Sequence, residues 1–362
     1  MMPINLFCSL LAILVTLGPV ARLGLPRWAV AVVGVILVGL AQQVIVHRVF
    51  RASVMSPDGM PLWIVAVLLW GTAFLTSAGG LTILWWALRW CHVAIPAWAP
   101  LALGAAMAFL FLYLGERLPS VREREAVLPG LPAEADGLRV AVLADVHIDR
   151  WRGRDWCERL VARVNAAKPD LILFTGDQAD GRIALRRDDI APLAKLEAPL
   201  GKYLISGNHE HYFETGAYLL EYERLGITLL EGRARQVGPL WLLGLPDGRS
   251  LTRSDEAERR LRGLMGQVPA GAFPVLLVHK PGIAPEADAM GVRLQLSGHT
   301  HGGQLPIVAP IIARYNRGFV RGWYDLPHGM RLFVAPGTGV WLGFPYRLYP
   351  SEITLLTLRA AD

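Results

Sequence analysis

Cysteine is scarce in this chain: Cys8, Cys91 and Cys157 are the three among 362 residues, and none forms a Cys-x-x-Cys pair. That excludes a disulfide framework and a thiolate-held metal, and leaves the redox compartment open. Charge is almost missing from the first third. Residues 1–115 carry only Arg22, Arg27, Arg48, Arg51, Asp58 and Arg89. Lysine- and arginine-rich runs are absent throughout, which excludes the basic arm of a nucleic-acid binder. The net charge of +6 does not contradict this, because five arginines against one aspartate place +4 of it in residues 1–115. Repeats and low-complexity tracts are lacking too, so a solenoid or array is excluded.

What fills the first third is apolar. Hydrophobic residues make up 53% of the chain, and the mean hydropathy is +0.37. The excess lies in four uncharged stretches, Ile4–Ala21, Trp28–Val46, Met60–Leu88 and Val93–Gly115. Each is near or above the roughly 18 apolar residues that read as a membrane span. Trp28, Trp63, Trp85, Trp86 and Trp90 cluster near segment ends, as in an aromatic belt. A cleaved signal peptide fits poorly, since the first stretch lacks a basic start and three more follow. The expectation is a membrane region of about four transmembrane helices over residues 1–115, in a cell inner membrane. With four spans and the N-terminus inside, Arg48, Arg51, Arg117, Arg122 and Arg124 share one side and Arg22, Arg27 and Arg89 the other, which leans the rest of the chain cytoplasmic. The stretches hold no acidic residue and no basic residue at mid-depth, so an ion path is not evident and anchoring is the plainer role.

Composition changes at Glu116. Residues 116–137 are charged, contain prolines and show no periodicity, and read as a linker. From residue 138 to 362, short apolar runs alternate with amphipathic stretches. Strands are predicted at 138–144, 170–176, 201–207, 274–279, 292–298, 331–337 and 352–358, and helices at 155–168 and 254–267, capped by Asp155 or Arg154 and by Ser254. This is an α/β domain.

Chemistry gathers at the strand ends. The first strand runs into Asp145 and His147, the second into Asp177, the third into Asn208 and His209, the next two into His279 and into His299 and His301. Five of the nine histidines fall here. In extended chain, residues i and i+2 face one way, so Asp-x-His and His-x-His can aim both side chains at one point. Gly176, Gly207, Gly298, Gly302 and Gly303 beside them permit sharp turns. Carboxylate, imidazole and amide oxygen suit Mn, Fe, Zn or Mg. Singly each residue fits a bland role: Asp177 or Asn208 in a turn, His279 in a core, His209 on the surface. The ordered set does not.

The series Asp-x-His (145–147), Gly-Asp-x-x-Asp (176–180), Gly-Asn-His-Glu (207–210), His279 and Gly-His-Thr-His (298–301) resembles the calcineurin-like metallophosphoesterase superfamily over roughly residues 138–358. The tract from "GHTHGGQ" to "PSEITLLTL" is similar to a membrane-associated bacterial branch that includes UDP-diacylglucosamine pyrophosphatase-like enzymes, and to animal transmembrane proteins with such a domain. The resemblance implies an α/β/β/α sandwich with two mixed sheets. It implies two divalent metal ions, one on Asp145, His147 and His301, the other on Asn208, His279 and His299, with Asp177 bridging. It implies a bridging hydroxide that attacks phosphorus, with His209 protonating the leaving group or steadying charge. Asp180 or Glu210 would orient ligand histidines. Arg150, Arg152 and Arg154 are candidates for phosphate contact or plain solvation, and His211 and His328 read as structural.

The expected activity is hydrolysis of a phosphodiester or pyrophosphate bond near the membrane lipids, a lipid-linked phosphorylated substrate among the candidates. A broad phosphomonoesterase or nucleotide phosphodiesterase, and a non-catalytic metal-dependent sensor, are the alternatives. A sensor would be expected to have lost ligands, and none is missing.

Overall fold

The computed structural model describes residues 2–41, 58–247, 254–306, 308–342 and 347–361. The chain divides into two units, Met1–Glu116 with Leu342–Arg347, and Arg117–Trp341 with Leu348–Asp362.

The first unit is helical. Helices run over Met2–Leu17, Arg27–Ala41, Leu62–Trp90 and Ala99–Glu116. Two of them, Leu62–Trp90 with 29 residues and Ala99–Glu116 with 18, are long and apolar enough to cross a membrane. The expectation of four spans is therefore met by two. The first helix ends at Leu17 because Gly18 and Pro19 follow, leaving 16 residues. The second has 15 described residues; the remainder of the predicted stretch, with Arg48 and Arg51, lies outside the described residues. The last stretch is helical only from Ala99, since Pro96 interrupts it. A small core of Ala12, Val15, Val20, Leu37, Leu75 and Ala78 joins these helices. Many large apolar side chains point outward, including Trp28, Trp63, Trp90, Phe109 and Tyr113.

The second unit holds twelve strands among the described residues: β1 (Ser120–Leu128), β2 (Arg139–Leu143), β3 (Leu171–Thr175), β4 (Lys202–Ile205), β5 (Thr228–Leu229), β6 (Ala234–Val237), β7 (Leu240–Leu245), β8 (Phe273–Val278), β9 (Leu294–Ser297), β10 (Gly322–Asp325), β11 (Arg331–Val334) and β12 (Glu352–Ala360). They form two six-stranded mixed sheets, ordered β1-β12-β2-β3-β4-β5 and β10-β11-β9-β8-β7-β6. Alternation explains the layering. Along β2, Val140 and Val142 face the core between the sheets, while Ala141 and Leu143 face the helical side. Leu242 and Leu243 of β7, and Leu277 and Leu276 of β8, split in the same way between the inner core and the opposite helical side. Helices 154–166 and 215–224 cover the first sheet; helices 254–265 and 284–289 cover the second. The order of layers is α/β/β/α.

Two differences from the sequence expectation have physical causes. Residues 116–137 do not form a plain linker, because nine of them make β1, an edge strand parallel to β12. Its Arg-Glu-Arg-Glu run faces solvent and cross-strand partners: Arg124 bonds Glu352 at 2.8 Å and Arg139 bonds Glu123 at 3.0 Å. An edge strand buries little apolar surface, so it carries no hydrophobic alternation. The helix expected from residue 155 starts at Arg154 after Gly153, and its cap comes from elsewhere: the Arg154 N–H donates to Asp189 Oδ1 at 3.1 Å.

Candidate metal centre

The motif residues meet because their strands run the same way. β2, β3 and β4 are parallel neighbours in the first sheet, and β8 and β9 are parallel neighbours in the second. All five therefore deliver their C-terminal loops to common edges. The loops remain zipped beyond the strands: Asp145 N–H donates to Gly176 O at 3.1 Å, His147 N–H to Asp177 O at 3.1 Å, and Asp180 N–H to Ile148 O at 2.8 Å.

Local backbone turns aim the side chains. Asp145, His147, Asp177, His299 and His301 all have positive φ, between 48° and 71°. Such left-handed conformations are uncommon outside glycine, and clusters of them mark functional sites. Glycine is required where these turns touch. A Cβ on Gly207 would lie 2.1 Å from Asp177 Oδ1, and one on Gly298 would lie 2.5 Å from Asp145 Oδ2.

Asp177 occupies the middle. Its Oδ1 accepts the His209 N–H at 2.8 Å. Its Oδ2 faces three imidazoles, with Nε2 of His279 at 3.1 Å, of His147 at 3.9 Å and of His209 at 4.0 Å. On one side, Asp145 Oδ1 is 3.8 Å from His301 Nε2, and His301 Nε2 is 3.2 Å from His147 Nε2. On the other, His279 and His299 pack edge to face with centroids 5.0 Å apart. Ligand atoms of Asp145, His147 and His301 lie within 4.8 Å of one another, as do those of Asp177, His279 and His299, and those of His147, Asp177 and His209. Asn208 is buried and its Oδ1 has no hydrogen-bond partner.

Supporting groups fix which ring nitrogen is available. His279 Nδ1 is 2.8 Å from Thr175 O. His147 Nδ1 is 3.1 Å from Asp180 Oδ2, and His209 Nδ1 is 2.6 Å from Asp180 Oδ1. Each contact calls for a proton on Nδ1, which leaves the Nε2 lone pair turned to the centre. Asp180 thus orients two histidines at once. Glu210 does something else. Its carboxylate accepts the backbone N–H groups of Asp177, Gln178 and Gly207 at 3.0, 2.7 and 2.8 Å, clamping two loops together without touching a histidine.

The electrostatics reflect crowding of buried carboxylates with imidazoles. Burial pushes Asp145 up to about 6, against the pull of His279 and His147. Burial also opposes ionisation of Asp177, but the charges of His279 and His209 outweigh it and hold that acid well below the usual range. For His279, burial favours the neutral ring, yet the facing Asp177 and Asp145 carry it up to about 10. His209 rises to about 9, its burial overcome by Asp180 and Asp177. His299 falls to about 3 through burial and the neighbouring charge of His279.

The donor set fits divalent cations. It offers hard carboxylate and amide oxygens and imidazoles with oriented lone pairs, no thiolate, and a buried amide oxygen lacking any other partner. Six of the seven residues expected as ligands, and His209, lie in this one cluster, and Asn208 adjoins His209 in the chain with its buried Oδ1 unpartnered. Two of the three arginines after the first motif are engaged away from the cluster. Arg152 is buried, bonded to Asp149 at 2.5 Å and to His147 O at 3.2 Å, so it braces the loop. Arg154 pairs with Glu158 on the surface at 3.1 Å. His211 bonds Ser206 and Thr215, and His328 is exposed with its N–H on Asp288. Two aromatic residues not singled out from the sequence, Trp341 and Tyr212, place their rings 5.5 and 5.1 Å from that of His209. Tyr212 sits one turn after His209 in the short helix Asn208–Tyr212, while Trp341 reaches the same ring from the stretch after β11.

Two mixed sheets in an α/β/β/α sandwich, with acids and histidines converging from their paired loops, define a metallophosphoesterase domain. The family model for calcineurin-like phosphoesterase matches residues 138–303. The chain is 32% identical over 244 residues to the metallophosphoesterase YkuE of Bacillus subtilis, covering 64% of this chain and 82% of that protein. It is 33% identical over 230 residues to a metallophosphoesterase of Aquifex aeolicus, covering 61% and 85%. It is also 31% identical over 278 residues to a Danio rerio "Transmembrane protein with metallophosphoesterase domain", covering 72% of this chain but only 62% of that protein. The chain belongs to the calcineurin-like metallophosphoesterase family.

Proposed function

We propose that this protein is a membrane-anchored, dinuclear-metal phosphoesterase that hydrolyses a phosphodiester or pyrophosphate bond. The observation that carries the reading is the arrangement about Asp177: one oxygen is held by the His209 backbone, and the other faces three imidazole nitrogens within 4.0 Å. Asp145, His147 and His301 would hold one cation, and Asn208, His279 and His299 the other, with Asp177 shared. When bound, such a pair supplies concentrated positive charge for phosphate and lowers the pKa of coordinated water.

The chain's own residues supply the rest. Asp180 and the Thr175 carbonyl keep the imidazoles in the tautomer that presents Nε2. His209 is not needed as a ligand, and Asp180 together with Asp177 keeps it protonated near neutral pH. Its Nε2 proton can pass to the departing oxygen or meet developing charge on phosphate. Trp341 and Tyr212 flank this ring and limit its motion.

Membrane attachment is supported by the two long apolar helices and the outward tryptophans of the helical unit. Trp63 and Trp90 stand at the two ends of one 29-residue helix, as interfacial anchors do. The name of the Danio rerio relative points the same way. An anchor brings lipid-linked phosphates within reach, so these head the substrate candidates; the catalytic unit is assigned to the cytoplasmic face of an inner membrane.

The test is a hydrolysis panel of nitrophenyl mono- and diesters and nucleotide diphosphate lipids, with Mn supplied or chelated, alongside elemental analysis of the purified protein. The reading requires about two equivalents of divalent metal and turnover that chelation abolishes. Full turnover in chelator overturns it.

A further inference from the structure

A cavity of about 490 Å³ is lined in part by Val278 and Lys280, the two residues that flank His279 in the chain. Leu245, Ala257, Val278 and Ile283 give it an apolar wall, the paired Glu286 and Arg317 a polar one, and Asp247 and Lys280 line it as well. Asp247 and Lys280 are tied to the metal centre by the chain. Lys280 directly follows His279. The Asp247 N–H donates to Ser206 O at 3.3 Å, two residues before Asn208. Lys280 Nζ lies 2.7 Å from Asp247 Oδ2, and the acid side chain is 7% exposed against 40% for the lysine. A buried carboxylate thus holds a half-open ammonium in place. An ammonium has three donors, so two remain for other acceptors.

We propose that this cavity receives the organic group of a diphosphate-linked substrate, with Lys280 meeting its second phosphoryl group. The inference rests on the phosphoesterase reading above and narrows its substrate to pyrophosphate esters. A monoester can place its organic group in the cavity but has no second anionic centre to engage Lys280. A diphosphate ester has both, and a volume of a few hundred Å³ is typical of small-molecule sites. Tyr315, 83% exposed, lines the cavity too. Hydrolysis consumes one water, opens the P–O–P bridge, and leaves one phosphate on each fragment.

Two variants address the site. Lys280→Met removes the charge while keeping the stem. Gly282→Phe places a ring into the cavity, where a Cβ meets no atom within 4 Å, so the backbone accepts it. Full-length protein with Mn would be assayed on ADP-ribose, CDP-diacylglycerol in micelles, and p-nitrophenyl phosphate. In each variant the ratio of kcat/KM for the diphosphates to that for the monoester should fall about tenfold, the loss of one charge-assisted contact or of the pocket. Calorimetric binding of adenosine 5′-methylenediphosphonate should weaken about tenfold in parallel. An unchanged ratio, or unchanged binding in both variants, overturns the proposal. Wild-type protein inactive on every ester would instead sink the phosphoesterase reading, and the binding measurement would still decide the pocket.

Discussion

The two sheets bring different chemistry to the same place. The first sheet delivers every carboxylate and the amide: Asp145, Asp177, Asp180 and Asn208, with His147 and His209 among them. The second delivers imidazoles alone, His279, His299 and His301. Their support differs as well. Groups on the first sheet are held by side chains, Asp180 and Glu210, whereas His279 of the second leans on the Thr175 carbonyl of the first. The lesson is that one layer carries the negative charge and the other closes over it. Removing a group from the first layer should disturb charge balance, and removing one from the second should open the ligand shell.

Asp177→Asn should produce the largest break. It removes the shared charge, so turnover of bis-p-nitrophenyl phosphate should fall on the order of 10⁴-fold or more, and elemental analysis should show metal loss. A variant that retained both would remove Asp177 from the centre. His209→Ala tests whether a first-sheet residue can matter without ligating. Its rate should drop by about 10² to 10⁴ with metal content intact, whereas His279→Ala should lose metal. If His209→Ala also sheds metal, its role is structural rather than protonic. Asp180→Ala comes next, with metal affinity weaker by about 10- to 100-fold, read by competition against a chromogenic chelator.

The fourth prediction concerns pH. The folded value of about 10 for His279 lies above the unfolded value of roughly 6.5. The sign follows from linkage: that raised value stabilises chelated protein fully below the unfolded value, and the contribution is lost as pH rises through about 10. Chelated protein should therefore melt lower at pH 10 than at pH 7, while metal affinity, which competes with that proton, should tighten over the same window. Parallel calorimetry with and without chelator checks both, and a flat metal affinity would contradict them. The smallest effect belongs to the edge of the first sheet. Arg124→Ala breaks a half-exposed ion pair with Glu352 and should cost no more than about 1 kcal/mol, measured by denaturant unfolding.

The candidate cluster was legible because metal chemistry demands particular residue types at strand ends; the way they are aimed was not, since Asp145, His147, Asp177, His299 and His301 turn on left-handed backbone instead of extended chain. Seven strands were legible from their apolar runs, whereas β5, β6, β7 and β10 were not expected, although β7 is itself a buried apolar run. β1 was not legible either, since its partner lies more than two hundred residues away and its charges mimic a linker. The resemblance offered Asp180 or Glu210 as the histidine support; the contacts of Glu210 are backbone amides, which no side-chain pattern reveals. The Thr175 carbonyl is hidden for the same reason. Of the four expected spans two are met among the described residues; Gly18 and Pro19 cut the first stretch, and the second runs on outside those residues.

Asp180 divides one carboxylate between a residue assigned to cation binding and the residue assigned to proton delivery. Any substitution that alters its charge must move cation retention and acid strength together. A variant with a shifted pH optimum but unaltered metal uptake would have to be sought among the aromatic rings flanking His209.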